Sequence, residues 1–271
     1  MELSLKKKHF QAEKLKSLQL NSTSKGNQSK WYDIDSKLFI KKQFEYQEKL
    51  WRDDLVEIIA SQIGRQMNLE WCNVIVIEQH PCVIQENGKN YYGVYSKDFI
   101  ESLGKFISFQ RLLDCNKTYF PENGSIEEKW MFILDFFQNV CNLDVKDYLI
   151  VMVLIDYLVG NEDRHLNNFG CTSKKEGGFH IAPLFDFGLE LFEHDRRYEG
   201  IPFRRCLSLM ESKPFSADNQ EVLDYLSDHY NLAKYLPKTL DLSNCEIPSP
   251  KAGSYLLNRC KLLNIELQGV Q

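Results

Sequence analysis

The sequence predicts an α+β fold in two unequal lobes, a small β-rich one over about residues 1–97 and a larger helical one over about 98–271. Two observations carry this. Runs rich in aromatic and β-branched residues, WYDIDSKLFIKKQF (31–44), NVIVIE (73–78) and YYGVY (91–95), cluster in the N-terminal part. Beyond about residue 98 the apolar residues take up helical spacing and helix-start signals multiply.

Taken in order, residues 1–20 are Lys-rich and read as a loosely held strand or arm. NSTSKGNQSK (21–30) holds no large apolar side chain and must be a loop, so with 31–44 it forms a strand–polar loop–strand unit. Leu50, Leu55, Ile58, Ile59 and Ile63 recur at helical spacing and predict an amphipathic helix from Tyr46 to Met67. Residues 73–78 and 91–95 read as two strands, with Asn87-Gly88 as a turn between them. A hinge is expected near Ser96-Lys97-Asp98.

Ser125 and Glu128 form a capping box that opens a helix through Val140. Asp144 opens the next, which runs to Val159 and is ended by Gly160. A short strand, a turn at Glu176-Gly177-Gly178 and a second strand, FHIAPLFDFG, follow. The rest reads as helical, with Asp218 and Ser249-Pro250 as starts.

Composition narrows the function classes. Lys+Arg 33 against Asp+Glu 38 gives a net charge of -5, which argues against a chain built to wrap a nucleic-acid backbone. None of the eight cysteines is in a C-x-x-C pair, which excludes a zinc site on that spacing, and their scatter reads as reduced thiols. The N-terminus MELSLKKKHF has no apolar stretch behind its basic start. The longest apolar run, Tyr148 to Val159, is interrupted by Asp156 and too short to span a bilayer. A cytoplasmic protein without a transmembrane segment is expected.

The chemistry concentrates between Gly160 and Gly188. A helix apolar nearly all round delivers a loop holding Asn161, Asp163, Arg164, His165, Asn167 and Asn168, and Asp186 stands at the end of the later strand. Carboxylates and amides beside an apolar core are costly unless they bind something. Magnesium, bound by one or two protein oxygens plus phosphates, explains the pattern. An Asp, an Asn five residues on and an Asp-Phe-Gly after a hairpin make the arrangement of phosphoryl transfer, with Asp163 serving the acceptor hydroxyl and Asn168 and Asp186 the metal. Lys41, in a strand, is placed for the α- and β-phosphates, with Lys42 as its rival because alternation alone does not choose between them. Glu57 is the candidate partner of that lysine, with Glu48, Asp53 and Asp54 as competitors. Asp156, inside the apolar helix, needs a backbone or Arg partner. His165 is placed to bond its own loop or Asp186.

The segments Gly160-Asn161-Glu162-Asp163-Arg164-His165-Leu166-Asn167-Asn168-Phe169-Gly170 and Ile181-Ala182-Pro183-Leu184-Phe185-Asp186-Phe187-Gly188 resemble the HipA-like serine/threonine kinases, which carry a G-N-x-D-x-H-x-x-N-x-G loop and an I/L-A-P-x-[FY]-D strand end. The compact form looks most like the stand-alone bacterial branch that includes the CtkA kinase, and the likeness spans approximately residues 20–190. The resemblance implies a two-lobed kinase-like fold, ATP and Mg2+, a protein substrate with a Ser or Thr hydroxyl, Asp163 as catalytic residue, Asn168 and Asp186 as metal ligands, and Lys41 as nucleotide lysine. Residues 22–30 are similar to the family's phosphate loop S-x-x-G-x-Q-x-K with Lys25 as an extra residue. Ser22, Ser24 and Gly26 would lie over the nucleotide, and Ser22 and Ser24 are the candidates for inhibitory autophosphorylation. No counterpart of the N-terminal subdomain that docks an antitoxin-like regulator in toxin members is expected here. Two other classes stay open: a phosphoinositide-type lipid kinase, which also uses a D-R-H-x-x-N loop, and a pseudokinase that binds nucleotide without transfer.

Overall fold

The computed structural model describes residues 7–18, 29–46, 49–173, 176–187, 198, 200–216 and 218–270. Ser22, Ser24, Gly26, Glu48 and Gly188 lie outside the described residues.

The N-terminal part is a six-stranded sheet. Its strands are β1 (Lys8–Gln11), β2 (Lys16–Ser17), β3 (Lys30–Asp33), β4 (Leu38–Lys42) and, after a small hairpin of β5 (Glu45–Tyr46) and β6 (Lys49–Leu50) and helix α1 (Asp53–Gln66), β7 (His80–Glu86) and β8 (Lys89–Lys97). The order is β1-β7-β8-β4-β3-β2, and only the β1–β7 pair is parallel. β7 and β8 turn at Asn87-Gly88, both with positive φ (50° and 76°), as this dipeptide demands.

The expected strand 31–44 is broken in two. The Asp33 carboxylate accepts from the Asp35 amide and from the Ser36 hydroxyl, and Lys37 turns at φ 55°, so β3 and β4 form a hairpin. The helix expected from Tyr46 starts only at Asp53, because β5 and β6 pair with each other first, Glu45 with Leu50 and Tyr46 with Lys49. Residues 73–78 are not a sheet strand. Their apolar pattern serves packing: Val74 is buried in the main core, the Val76 side chain fills the space over Gly64, and Ile75 and Ile77 bond the backbone of Leu184. Pairing with β8 falls instead to 80–86.

The chain then continues through α2 (Ile100–Leu103), β9 (Lys105–Ser108), α3 (Phe109–Cys115), α4 (Ile126–Phe136), α5 (Lys146–Val159), β10 (Gly170–Ser173), β11 (Phe179–Ile181), α6 (Phe203–Leu207), α7 (Asn219–His229), β12 (Thr239–Asp241), α8 (Pro250–Leu262) and β13 (Glu266–Gln268). Ser125 and Glu128 complete the capping box of α4, which ends in a π turn at Phe137–Cys141 rather than running on as α-helix to Val140. Among the described residues of the run FHIAPLFDFG, the strand is Phe179–Ile181. Asp218 and Ser249 cap α7 and α8 as expected.

The main core is built around α5, buried from Tyr148 to Val159. Phe109 stacks on Phe137 and Phe169 at its side. Helix α1 joins the two parts. Val56, Ile59, Ala60 and Ile63 are buried in the same core, and at its C-terminal end the Gln66 amide bonds the Asp241 backbone twice, at 2.8 Å each way. Among the described residues no helix is long and apolar enough to cross a membrane, and all eight cysteines are free thiols.

Candidate active site

Helix α5 stops where it must. Gly160 takes φ 65°, and the Asn161 amide bonds Asp156 O at 2.8 Å, so the chain turns off the helix axis into a loop lined with polar groups. That loop is held from beneath by a buried ion pair. Arg164, 1% exposed, grips Asp156 with Nε and Nη2, each at 2.8 Å, while Asn161 donates to the same carboxylate at 2.7 Å. Asp156 has its Arg partner. A bidentate fork with a third donor is the geometry that lets such a pair survive burial.

Arg164 also reaches forward. Its Nη1 donates to Asn168 O at 3.1 Å and to Phe185 O at 2.7 Å, and its guanidinium lies 4.7 Å over the Phe187 ring. One side chain thus fixes the position of the 163–168 loop relative to the Asp186 segment. The sequence reading left Arg164 without a role; the signal was the unpaired Asp156 in an apolar helix eight residues earlier.

Asp186 sits at φ 59°, in the left-handed region that non-glycine residues seldom occupy. Its Oδ1 is 2.8 Å from Lys41 Nζ, and the same ammonium is 2.7 Å from Glu57 Oε1. Glu57 Oε2 in turn accepts from the Phe187 amide at 3.2 Å. A single carboxylate on α1, one lysine on β4 and the segment after β11 are therefore one linked unit. Lys42 faces the other way, onto Glu86 at 2.7 Å and the Tyr91 ring at 4.2 Å. Of the competing carboxylates, Asp53 accepts from the Phe44 amide at 2.6 Å and Asp54 pairs with Arg52 at 2.9 Å.

Lys30 joins the cluster, its Nζ 3.8 Å from Asp186 Oδ2. The register pairs Lys30 with Lys41 across β3 and β4, which puts both on one face. The resemblance puts Lys30 at the last position of the phosphate-loop pattern without naming a partner for it. The hairpin register across residues 34–37 is the signal that brings it beside Lys41.

Electrostatics follow the geometry. Burial works against ionised Asp186, but Lys41 and then Lys30 outweigh it and hold the carboxyl well below its ordinary range. Burial likewise opposes the Lys41 ammonium, which Asp186 and Glu57 keep charged beyond its usual limit. Asp163 moves the other way: burial raises it, Asp186 adds to the rise, and His165 and Lys213 partly restore it. His165 accepts from the Asn167 amide through Nδ1 at 3.3 Å, so it bonds its own loop.

Asn168 donates Nδ2 to Asp163 O at 3.1 Å, which leaves its Oδ1 as acceptor. Together with an ionised Asp186 this offers hard oxygen donors. Among the described residues no group of three or more His, Cys, Asp or Glu side chains could cage a metal. Two oxygens without such a cage fit Mg2+, which relies on phosphates and water for its remaining ligands.

This layout, with a β-rich part carrying a lysine–glutamate pair and a helical part carrying the polar loop, is a kinase-like fold. Comparison with protein-family models and with curated protein sequences finds no match. Among solved structures, the chain is similar to the crystal structure of the Helicobacter pylori proinflammatory kinase CtkA. The TM-score is 0.57 at 16% identity, over 95% of this chain and 91% of that one. At that identity the likeness establishes the fold.

Proposed function

We propose that this chain is an ATP- and Mg2+-dependent serine/threonine protein kinase with an N-lobe to about residue 97 and a C-lobe from about 98. The observation that carries the reading is the Lys41 ammonium held between Glu57 at 2.7 Å and Asp186 at 2.8 Å, the pairing on which phosphoryl transfer depends. The similar fold of the H. pylori kinase supports it.

On this reading Lys41, with Lys30 beside it, meets the phosphates of ATP, and Glu57 keeps the lysine extended toward them. Asp186 and Asn168 Oδ1 would hold Mg2+, which supplies charge neutralisation on the phosphates when bound. Asp163 receives the acceptor hydroxyl. Its raised pKa suits it to orient that group and take its proton late in the transfer. Arg164 keeps the Asp163 loop and the Asp186 segment in register, so that acceptor and phosphate meet in line. Ser22 and Ser24 are the proposed autophosphorylation sites. A phosphate there would place negative charge where the nucleotide phosphates bind and so inhibit.

The test is incubation with γ-labelled ATP and Mg2+ beside Asp163→Asn, with phosphosites mapped by mass spectrometry. The expected result is label on Ser or Thr, at Ser22 or Ser24 first, lost in Asp163→Asn while ATP binding persists. Label on phosphoinositide vesicles alone would move the activity to the lipid-kinase class. ATP binding without any transfer would make the chain a pseudokinase.

A further inference from the structure

A turn far along the chain is pinned against the candidate catalytic loop by residues no role has yet claimed. Glu162, immediately before Asp163 and only 3% exposed, accepts from the Glu211 amide at 2.7 Å and from the Tyr198 hydroxyl at 2.6 Å. Immediately after Glu211, the segment folds back on itself through paired backbone bonds between Ser212 and Ser216, each 3.0 Å. The buried Lys129 fastens the far side, donating to Phe215 O at 3.0 Å. A burial of Glu162 and Lys129 side chains is costly, and here both are committed to backbone atoms of one short turn.

What this turn presents is Lys213. Its side chain is 49% exposed, and its ammonium lies 3.6 Å from Glu211 Oε2, so it already pairs with a carboxylate. Its charge is felt at Asp163. The turn that carries Lys213 is tied to Glu162, the residue next to Asp163, so the cation stands on the side of the site where the acceptor hydroxyl would enter.

We propose that Lys213, held on the Glu162-anchored turn, is an acceptor-side subsite that selects protein substrates carrying an acidic residue next to the phosphorylated Ser or Thr. The inference rests on the kinase reading and deepens it. A partly exposed ion pair adds modest affinity but discriminates strongly against like charge, which is how such a lysine would set specificity.

The experiment uses the full chain with matched Ser/Thr peptides whose flanking positions carry Glu or Lys, and scores the ratio of kcat/KM for the two sets within each protein. Because the ratio is internal, a general loss of activity does not mimic the effect. The wild type should favour Glu-flanked peptides by about fivefold at low salt, as one exposed pair allows, and the ratio should shrink at high salt. Lys213→Ala should bring it close to one, and Lys213→Glu should invert it. Transfer that ignores flanking charge, a preference that survives in Lys213→Glu, or self-labelling with no peptide transfer would overturn the subsite and leave the kinase reading standing. No transfer of any kind from the wild type would sink both.

Discussion

The ammonium of Lys41 is shared between Glu57, 2.7 Å away on α1, and Asp186, 2.8 Å away beyond β11. Three elements distant in sequence thus converge on one cation. Lys41→Ala leaves Glu57, 1% exposed, as a buried carboxylate without its partner, at a cost of about 3 kcal/mol. The variant should melt about 6–10 °C lower and lose about 100-fold or more of transfer. Lys42→Ala, which removes contacts to Glu86 and Tyr91 on the other face, should keep transfer within about twofold of wild type by the same assay. Equal losses in the two variants would remove Lys41 from its proposed role.

How much of this was legible beforehand depends on how local the signal is. The capping box at Ser125, the Asn87-Gly88 turn, the Gly160 stop and the apolar α5 are written in contiguous residues, and each is found where the pattern puts it. The motif residues Asp163, Asn168 and Asp186 could be singled out because their residue types are expensive beside an apolar core. What the pattern could not supply was pairing. Phe39-Ile40-Lys41-Lys42 alternates without saying which face is inward, and only the position of α1 across the sheet decides it. NVIVIE has strand composition because Val74 is buried in the main core and Val76 packs on Gly64 and pairs with Leu184, not because it joins the sheet. Lys213 lies fifty residues from Asp163, and nothing local to either announces the other.

Arg164 and Asp156 behave as a unit, so their removal should be strongly non-additive. Arg164→Met leaves Asp156 buried and loses the bonds to Asn168 O and Phe185 O, an effect of about 3–5 kcal/mol. In urea unfolding the double variant Asp156→Leu with Arg164→Met should be less destabilised than the sum of the single changes by more than about 1 kcal/mol. Simple additivity would mean that the pair is not the clamp the geometry describes.

Gly93 tests the sheet that carries Lys41. A Cβ built there would lie 2.4 Å from Lys41 O and 2.7 Å from the Ile84 side chain. The backbone oxygen has nowhere to yield without moving β4. Gly93→Ala should therefore cost about 1–3 kcal/mol through overpacking. It should also raise the KM for ATP more than that for a peptide acceptor. A stability loss with both KM values moved equally would show that the strain is not passed to Lys41.

The pH dependence of stability gives the last prediction. Asp53 is 1% exposed, one helical turn before Glu57, and accepts from the Phe44 amide at 2.6 Å. Burial raises its carboxyl from 3.8 to about 7 even though Lys41 and the Phe44 amide pull the other way. A carboxyl that titrates higher when folded favours the fold in its protonated form. That contribution is complete below pH 3.8 and is lost progressively as the pH rises through about 7. Above that point the protein carries an ionised, buried carboxylate that the fold would rather protonate. Asp53→Asn retains an oxygen for the Phe44 amide and cannot ionise. It should therefore melt higher than wild type at pH 8, by about 5 °C, with the advantage shrinking toward zero at pH 4. Asp54, which burial also raises, is present in both proteins, so the difference isolates Asp53. Thermal melts of the two proteins across that range decide the matter, and a melting difference independent of pH would show that Asp53 is ionised at no folding cost.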